Sequence, residues 1–193
     1  MKQLESNQTA VQFTSTDIYG NKVDLKKYQG QKVLLSFFRK AACPFCNMAI
    51  QQLIKRHSEF ESKGIKIIAL FASTKDDVLK YAGKQSAPFP IIADGKNEIY
   101  EKYGIGQSYM GMLKTMLNPV KVWKAINGGF FSLRTVPQDP VLPAEILINE
   151  DQTVQRAYYG SDYDDHLSVD EILQWRYQTS LKQDLTLSTT RLF

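Results

Sequence analysis

Cys43 and Cys46 are the only two cysteines in the 193-residue chain, and they stand three apart as Cys-Pro-Phe-Cys. Such a pair cannot build a disulfide framework. The denatured-state entropy a disulfide removes grows with loop length, so this short ring adds little stability and the pair reads as chemistry. A zinc site needs two further ligands, yet the only histidines, His57 and His166, lie far apart in sequence. The chemistry indicated is thiol redox: a thiolate attacks, and a thiol three residues on reaches the resulting mixed disulfide or sulfenic acid without rearrangement. No metal and no organic cofactor is called for.

The surrounding elements assign the two roles. Lys32 to Phe38 (KVLLSFF) reads as a strand buried on both faces. After it, Pro44 sits where a first helical residue belongs, because its missing N–H costs nothing there. Cys43 therefore falls at a helix N-terminus, where unpaired backbone N–H groups and the helix dipole favour a thiolate. Arg39 and Lys40 add positive charge close by in sequence. Cys43 is the attacking residue, and Cys46, one turn inside the helix and less exposed, is the resolving one.

The rest of the chain alternates strand and helix. DIYGNKVDL (Asp17 to Leu25) reads as part of an N-terminal β-hairpin turning near Gly20. Cys46, Ile50, Leu53, His57 and Phe60 recur at helical spacing, predicting one helix from Pro44 to about Lys63 with Gly64 as its C-cap. On that stripe His57 is a core histidine. Ile65 to Phe71 is a second buried strand, and Ser73 or Thr74 caps a helix from about Lys75. Phe89 to Ala93 and Asn97 to Tyr103 read as a short strand and a short helix. Ala144 to Asn149 and Thr153 to Tyr159 form a strand pair, and Ser168 with Glu171 makes a capping box for a last helix through about Tyr177. The fold class is α/β, with a central mixed β-sheet flanked by helices. The acidic cluster Asp162, Asp164, Asp165 beside His166 reads as a solvated, cap-forming loop.

At 43% hydrophobic and 23% charged residues the composition is that of one ordinary domain, which excludes collagen, disorder and a disulfide scaffold. No apolar run reaches the roughly 18–20 residues of a membrane span, and MKQLESNQTA is not a secretory signal, so a cytoplasmic location is expected. The net charge of +4 is too small to argue for nucleic acid. Between Tyr103 and Gln138 there is no acidic residue, while Lys114, Lys121, Lys124 and Arg134 are basic. This stretch reads as an insertion at about 106–138, whose Met110, Met112 and Met116 suit a lid, a homodimer surface or a docking face for an acidic reductase, and equally a helical satellite packed on the core. Residues 1–178 then form a single domain, followed by a loose tail at 179–193.

From about Phe13 to Tyr177 the chain resembles the thioredoxin superfamily, and more narrowly the peroxiredoxin-like proteins of the AhpC/TSA group with a CPxC centre. The stretches that carry the resemblance are DIYGNKVDL, KVLLSFFRKAACPFC, IKIIALFAS, PIIADGKNEIYEKYGI and LPAEILINEDQTVQRAYYGSD. It implies a thioredoxin-like fold, with Leu142-Pro143 as a cis-proline segment that packs against the cysteines and leaves the Leu142 backbone free for a bound partner. It further implies a peroxide or protein disulfide as substrate and a thioredoxin- or glutaredoxin-type reductant, and it gives Arg134 the role of an arginine assisting peroxide cleavage. Two departures stand out. Ser36 and Lys40 occupy the positions where peroxidatic members carry Pro and Thr, and Phe37 stands where thioredoxins carry a buried acid. The alternatives left open are a dithiol-disulfide exchanger without peroxidase activity and a redox sensor switched by the Cys43–Cys46 disulfide.

Overall fold

The computed structural model describes residues 2–108, 110, 117–120, 123 and 140–175. At its centre is β3 (Lys32–Phe38), every residue of which is buried. An apolar run with no polar alternation has no solvent face to offer, so it is covered on both sides. Parallel to it lies β4 (Ile65–Phe71), followed outward by β5 (Ile91–Ala93), also parallel. On its other edge β6 (Ala144–Ile148) and β7 (Val154–Tyr159) pair antiparallel, giving the order β5-β4-β3-β6-β7. The expected mixed sheet is what forms, and a separate hairpin of β1 (Thr14–Thr16) and β2 (Lys22–Asp24) precedes it. Asp17 shapes the hairpin turn, its carboxylate accepting from the backbone N–H groups of Tyr19 and Asn21.

Alternation along β3 divides the core in two. Leu34 and Phe38 face α1 (Pro44–Lys55), whereas Leu35 and Phe37 face the layer containing α4 (Glu98–Lys102) and the hairpin. Phe37, the position of the absent acid, packs against Tyr100 and Tyr103 on that second face, with ring centroids 5.1 and 5.2 Å away.

The single helix expected from Pro44 to Lys63 is two. Arg56 leaves helical geometry at φ −105°, ψ 15°, and α2 (His57–Ser62) restarts behind it. The Arg56 guanidinium is held there by Glu59 and Asp170, at 2.7 Å each. Gly64 closes α2 at φ +67°, its N–H donating to Glu61 O, as its place in the sequence implied. Thr74, not Ser73, caps α3 (Lys75–Lys80). The Ser168–Glu171 capping box opens α5 (Val169–Gln174). Among the described residues no helix is long and apolar enough to cross a membrane. Most of the insertion and all of the 179–193 tail lie outside the described residues.

Candidate active site

β3 ends at Phe38, and the five residues after it carry the chain across the sheet edge to α1. Tyr100 OH fixes that edge, its single proton shared between the carbonyls of Phe38 and Leu70. The Ala41 N–H donates to Ser73 Oγ at 2.9 Å, which is why Ser73 is not the helix cap. From inside α1, Asn47 Nδ2 donates back to the carbonyls of Ala41 (2.6 Å) and Cys43 (2.9 Å), while its Oδ1 accepts from Gln85. The loop is held from both sides.

Cys43 is the N-cap residue of α1, and both cysteines are reduced and buried. The Arg39 guanidinium, itself only 4% exposed, places Nη1 3.2 Å from Cys43 Sγ. Two further contacts hold this cation. Its Nε donates to the Val141 carbonyl at 2.8 Å, and its flat face lies 3.0 Å from the centroid of the Tyr163 ring. The Cys43 thiol is pulled down to about 6 by a hydrogen bond from the Cys46 side chain, against its burial, with help from the Arg39 charge and the backbone N–H groups of Cys46 and Phe45. Burial and the neighbouring Cys43 push the Cys46 thiol well up. At neutral pH the pair is one thiolate and one thiol, the division of labour that attack and resolution require.

Of the residues singled out in sequence, the structure gathers Arg39, Cys43 and Cys46. Lys40 supplies its backbone carbonyl to the Cys43 N–H (2.9 Å). Arg134 lies outside the described residues. The Leu142-Pro143 expectation needs correction on two points. No peptide bond among the described residues is cis, so this one is trans, the form favoured by about 0.5–1 kcal/mol in any X–Pro bond. Pro143 leads directly into β6, a strand position where a ring lacking an N–H is tolerated without a cis bond. Nor is the Leu142 N–H free, since it donates to Gly106 O at 3.2 Å. The segment still adjoins the cysteines through the Arg39–Val141 hydrogen bond.

Sequence reasoning missed a second buried pair. Glu145 of β6, 2% exposed, lies opposite Ser36 in the β3–β6 register. Its Oε1 is 2.6 Å from His166 Nδ1, and its Oε2 accepts from the Leu167 N–H. The loop bearing His166 turns tightly at Gly160, where a Cβ would collide with the Asp165 carbonyl and Pro143. Burial opposes charge on His166, but the Glu145 carboxylate, its hydrogen bond and the charge on Cys43 outweigh it and raise the imidazole above its usual value. The signal in sequence was one carboxylate inside an otherwise apolar strand, AEILI. As for the acids nearby, Asp165 accepts from Ser161 and Tyr158, and among the described residues no three His, Cys, Asp or Glu side chains gather as a metal site.

A mixed sheet of this order, with a thiolate-thiol pair at the start of the helix after its central strand, defines a thiol-dependent oxidoreductase of the thioredoxin superfamily. Residues 6–157 match the family model described as AhpC/TSA family, and the chain belongs to that family. Among curated relatives, Peroxiredoxin Bcp of Escherichia coli (strain K12) is 26% identical over 113 residues, 58% of this chain and 72% of the relative. Thiol-disulfide oxidoreductase ResA of Bacillus thuringiensis subsp. konkukian (strain 97-27) is 31% identical over 105 residues, 54% of this chain and 60% of the relative. Among solved structures, Peroxidoxin BcpB from Mycobacterium tuberculosis superposes with a TM-score of 0.66 at 16% identity, covering 89% of this chain and 96% of its own. Xanthomonas campestris Peroxiredoxin Q gives 0.62 at 14% identity, covering 86% and 90%. These two likenesses concern the fold.

Proposed function

We propose that the protein reduces peroxides with Cys43 and closes a Cys43–Cys46 disulfide in each turnover. The observation that carries this reading is the Arg39 guanidinium 3.2 Å from Cys43 Sγ, beside the hydrogen bond from Cys46. The thiolate attacks one peroxide oxygen, the O–O bond breaks, and the departing alkoxide takes a proton to leave as alcohol or water. Cys43 is then a sulfenic acid. Cys46 sulfur attacks it, the S–O bond breaks, water leaves, and the disulfide forms. A thioredoxin- or glutaredoxin-type dithiol restores the pair, in keeping with a cytoplasmic setting. Arg39 is the cation that steadies the thiolate and meets the peroxide oxygens. Leu142, held beside Arg39 through Val141, forms the contact surface for the reductant, with Pro143 anchoring it through the Gly160 N–H.

A second reading has a specific observation behind it. Ser36 and Lys40 stand where peroxidatic members carry Pro and Thr, and the same thiolate exchanges equally well with a disulfide. Stopped-flow oxidation of the reduced protein by stoichiometric hydrogen peroxide and cumene hydroperoxide separates the two. For a peroxidase, rapid disulfide formation disappears in Cys43→Ser, and sulfenic acid accumulates in Cys46→Ser. If the wild type reacts no faster than an ordinary free thiol, the peroxidase reading fails and disulfide exchange takes its place.

A further inference from the structure

Peroxide reduction to alcohol and water consumes two protons, and the cysteine pair at neutral pH holds only one. Cys43 has already lost its proton, and Cys46, 0% exposed, carries the other. The second proton must come from elsewhere, and bulk water has little direct access to the buried sulfurs.

His166 is placed to supply it. Its Nδ1 is hydrogen-bonded to Glu145, and its Nε2 is buried with no hydrogen-bond partner among the described residues. The ring packs against Phe38, with centroids 5.5 Å apart, one residue before the Arg39 that holds Cys43. The same loop carries Tyr163 onto the far face of that arginine. His166, with Glu145 and Phe38, lines a cavity of about 470 Å³ between α1 and the segment leading into α5, walled by Met48, Leu53 and Ile172. Neither cysteine is among its lining residues. His166 thus lines this space and, through Phe38 and Tyr163, adjoins the arginine that holds Cys43. The charged groups around it are Glu145 from β6, Cys43 at the head of α1, Asp164 on its own loop, and Arg56 on the cavity wall.

We propose that the Glu145–His166 pair is the proton store of the cysteine centre: His166 holds a proton while Cys43 is a thiolate and gives it up when Cys43 and Cys46 become a disulfide. The balance closes. ROOH, the Cys43 thiolate, the Cys46 thiol and protonated His166 yield ROH, water, the disulfide and neutral His166, with two electrons passing from the sulfurs to the peroxide. With a disulfide substrate the same two protons leave as two thiols. Re-reduction regenerates the thiolate and draws a proton back through the cavity. His166 acts through charge and proton supply, as a positioning residue. The proposal rests on the Cys43–Cys46 redox cycle of the preceding section.

The test is the titration of the His166 ring nitrogens by ¹⁵N NMR in the wild-type protein, once as the dithiol and once after conversion to the disulfide with diamide. Loss of the nearby thiolate is expected to lower the His166 midpoint by about half a pH unit or more. Superimposable titrations in the two states would overturn the proposal. Failure of diamide to yield a Cys43–Cys46 disulfide would instead sink the redox cycle itself, so the two failures are distinguishable. As a second readout, His166→Gln keeps a hydrogen-bonding group beside Glu145 but removes the titrating ring. Iodoacetamide alkylation of Cys43 at pH 6 should slow about threefold or more as the thiolate loses a nearby cation. An unchanged alkylation profile in a folded His166→Gln protein would count against the store as plainly as an unchanged NMR titration.

Discussion

Two buried charge systems lie on the same side of the sheet and are built in opposite ways. Arg39 and Cys43 come from one continuous stretch, the last turn of chain between a strand and a helix, and distant contacts are needed only to aim the arginine side chain. Glu145 and His166 are brought together by strand pairing of β6 with β3 and by a tight turn after β7. The first system holds its negative charge on a sulfur, the atom that the proposed cycle uses. The second holds its charges on groups that form no bond to substrate, and gives each carboxylate oxygen a hydrogen-bond partner. Stability and reactivity therefore separate: the Glu145–His166 pair is where loss of a partner harms folding most, and the Arg39–Cys43 pair is where loss of a partner harms chemistry most.

The largest effect expected is on stability. Glu145→Leu leaves the His166 ring buried beside an apolar chain and should cost about 3–5 kcal/mol by urea unfolding at pH 6, as removal of one partner from a buried pair does. The pH dependence has a definite sign. The folded His166 titrates above its unfolded value, so the stability it contributes is fully present below the unfolded midpoint and is lost as pH rises through the folded one. In Glu145→Leu the remaining burial disfavours the charged ring, so the deficit should shrink between pH 6 and pH 9. A deficit that is constant across this range would mean that packing, not charge, is what Glu145 contributes.

Arg39→Met shifts the emphasis to chemistry. The Cys43 midpoint of about 6 should climb toward the ordinary thiol range, and alkylation at pH 6.5 should fall about tenfold. Arg39→Lys should recover part of that rate through its charge but lose the Tyr163 stack and the Val141 bond, so its recovery is incomplete. Here the linkage has the opposite sign. A depressed thiol stabilises the fold above its unfolded midpoint, and that stabilisation is lost as pH falls through about 6. Stability of the wild type should thus rise with pH across this window more steeply than that of Arg39→Met. Equal slopes would show that the guanidinium has little part in setting the thiolate.

The same contrast explains what could be read in the sequence. The apolar run of β3, Pro44 at the first helical position and the three-residue cysteine spacing are local signals, and they located the strand, the helix start and the cysteine at its N-cap. The direction of the Arg39 side chain was not local information, because Val141 and Tyr163, over a hundred residues on, hold it in place. Arg56 interrupts the expected long helix for a similar reason: one of its two carboxylate partners, Asp170, belongs to α5. Glu145 was visible as an oddity in AEILI, yet nothing nearby in the chain pointed to His166. The cis-proline came from resemblance alone, and in this chain the trans bond feeds β6 directly.

Asn47 sharpens the comparison at the smallest scale, because it is buried, uncharged and joined to both the loop and the reactive residue. Asn47→Ala removes donors from the carbonyls of Ala41 and Cys43 and should cost about 1–2 kcal/mol in unfolding experiments. It adds no charge, so the Cys43 alkylation midpoint should stay near its wild-type position. Asn47→Asp has nearly the same shape and still accepts from Gln85, but it places a carboxylate one residue beyond Cys46. That charge opposes the thiolate, and the midpoint should move upward with a correspondingly slower reaction at pH 6.5. If the alanine variant moves the midpoint as far as the aspartate variant, loop position rather than charge sets the acidity of Cys43, and the helix-cap geometry held by Asn47 would rank above Arg39 in making the thiol reactive.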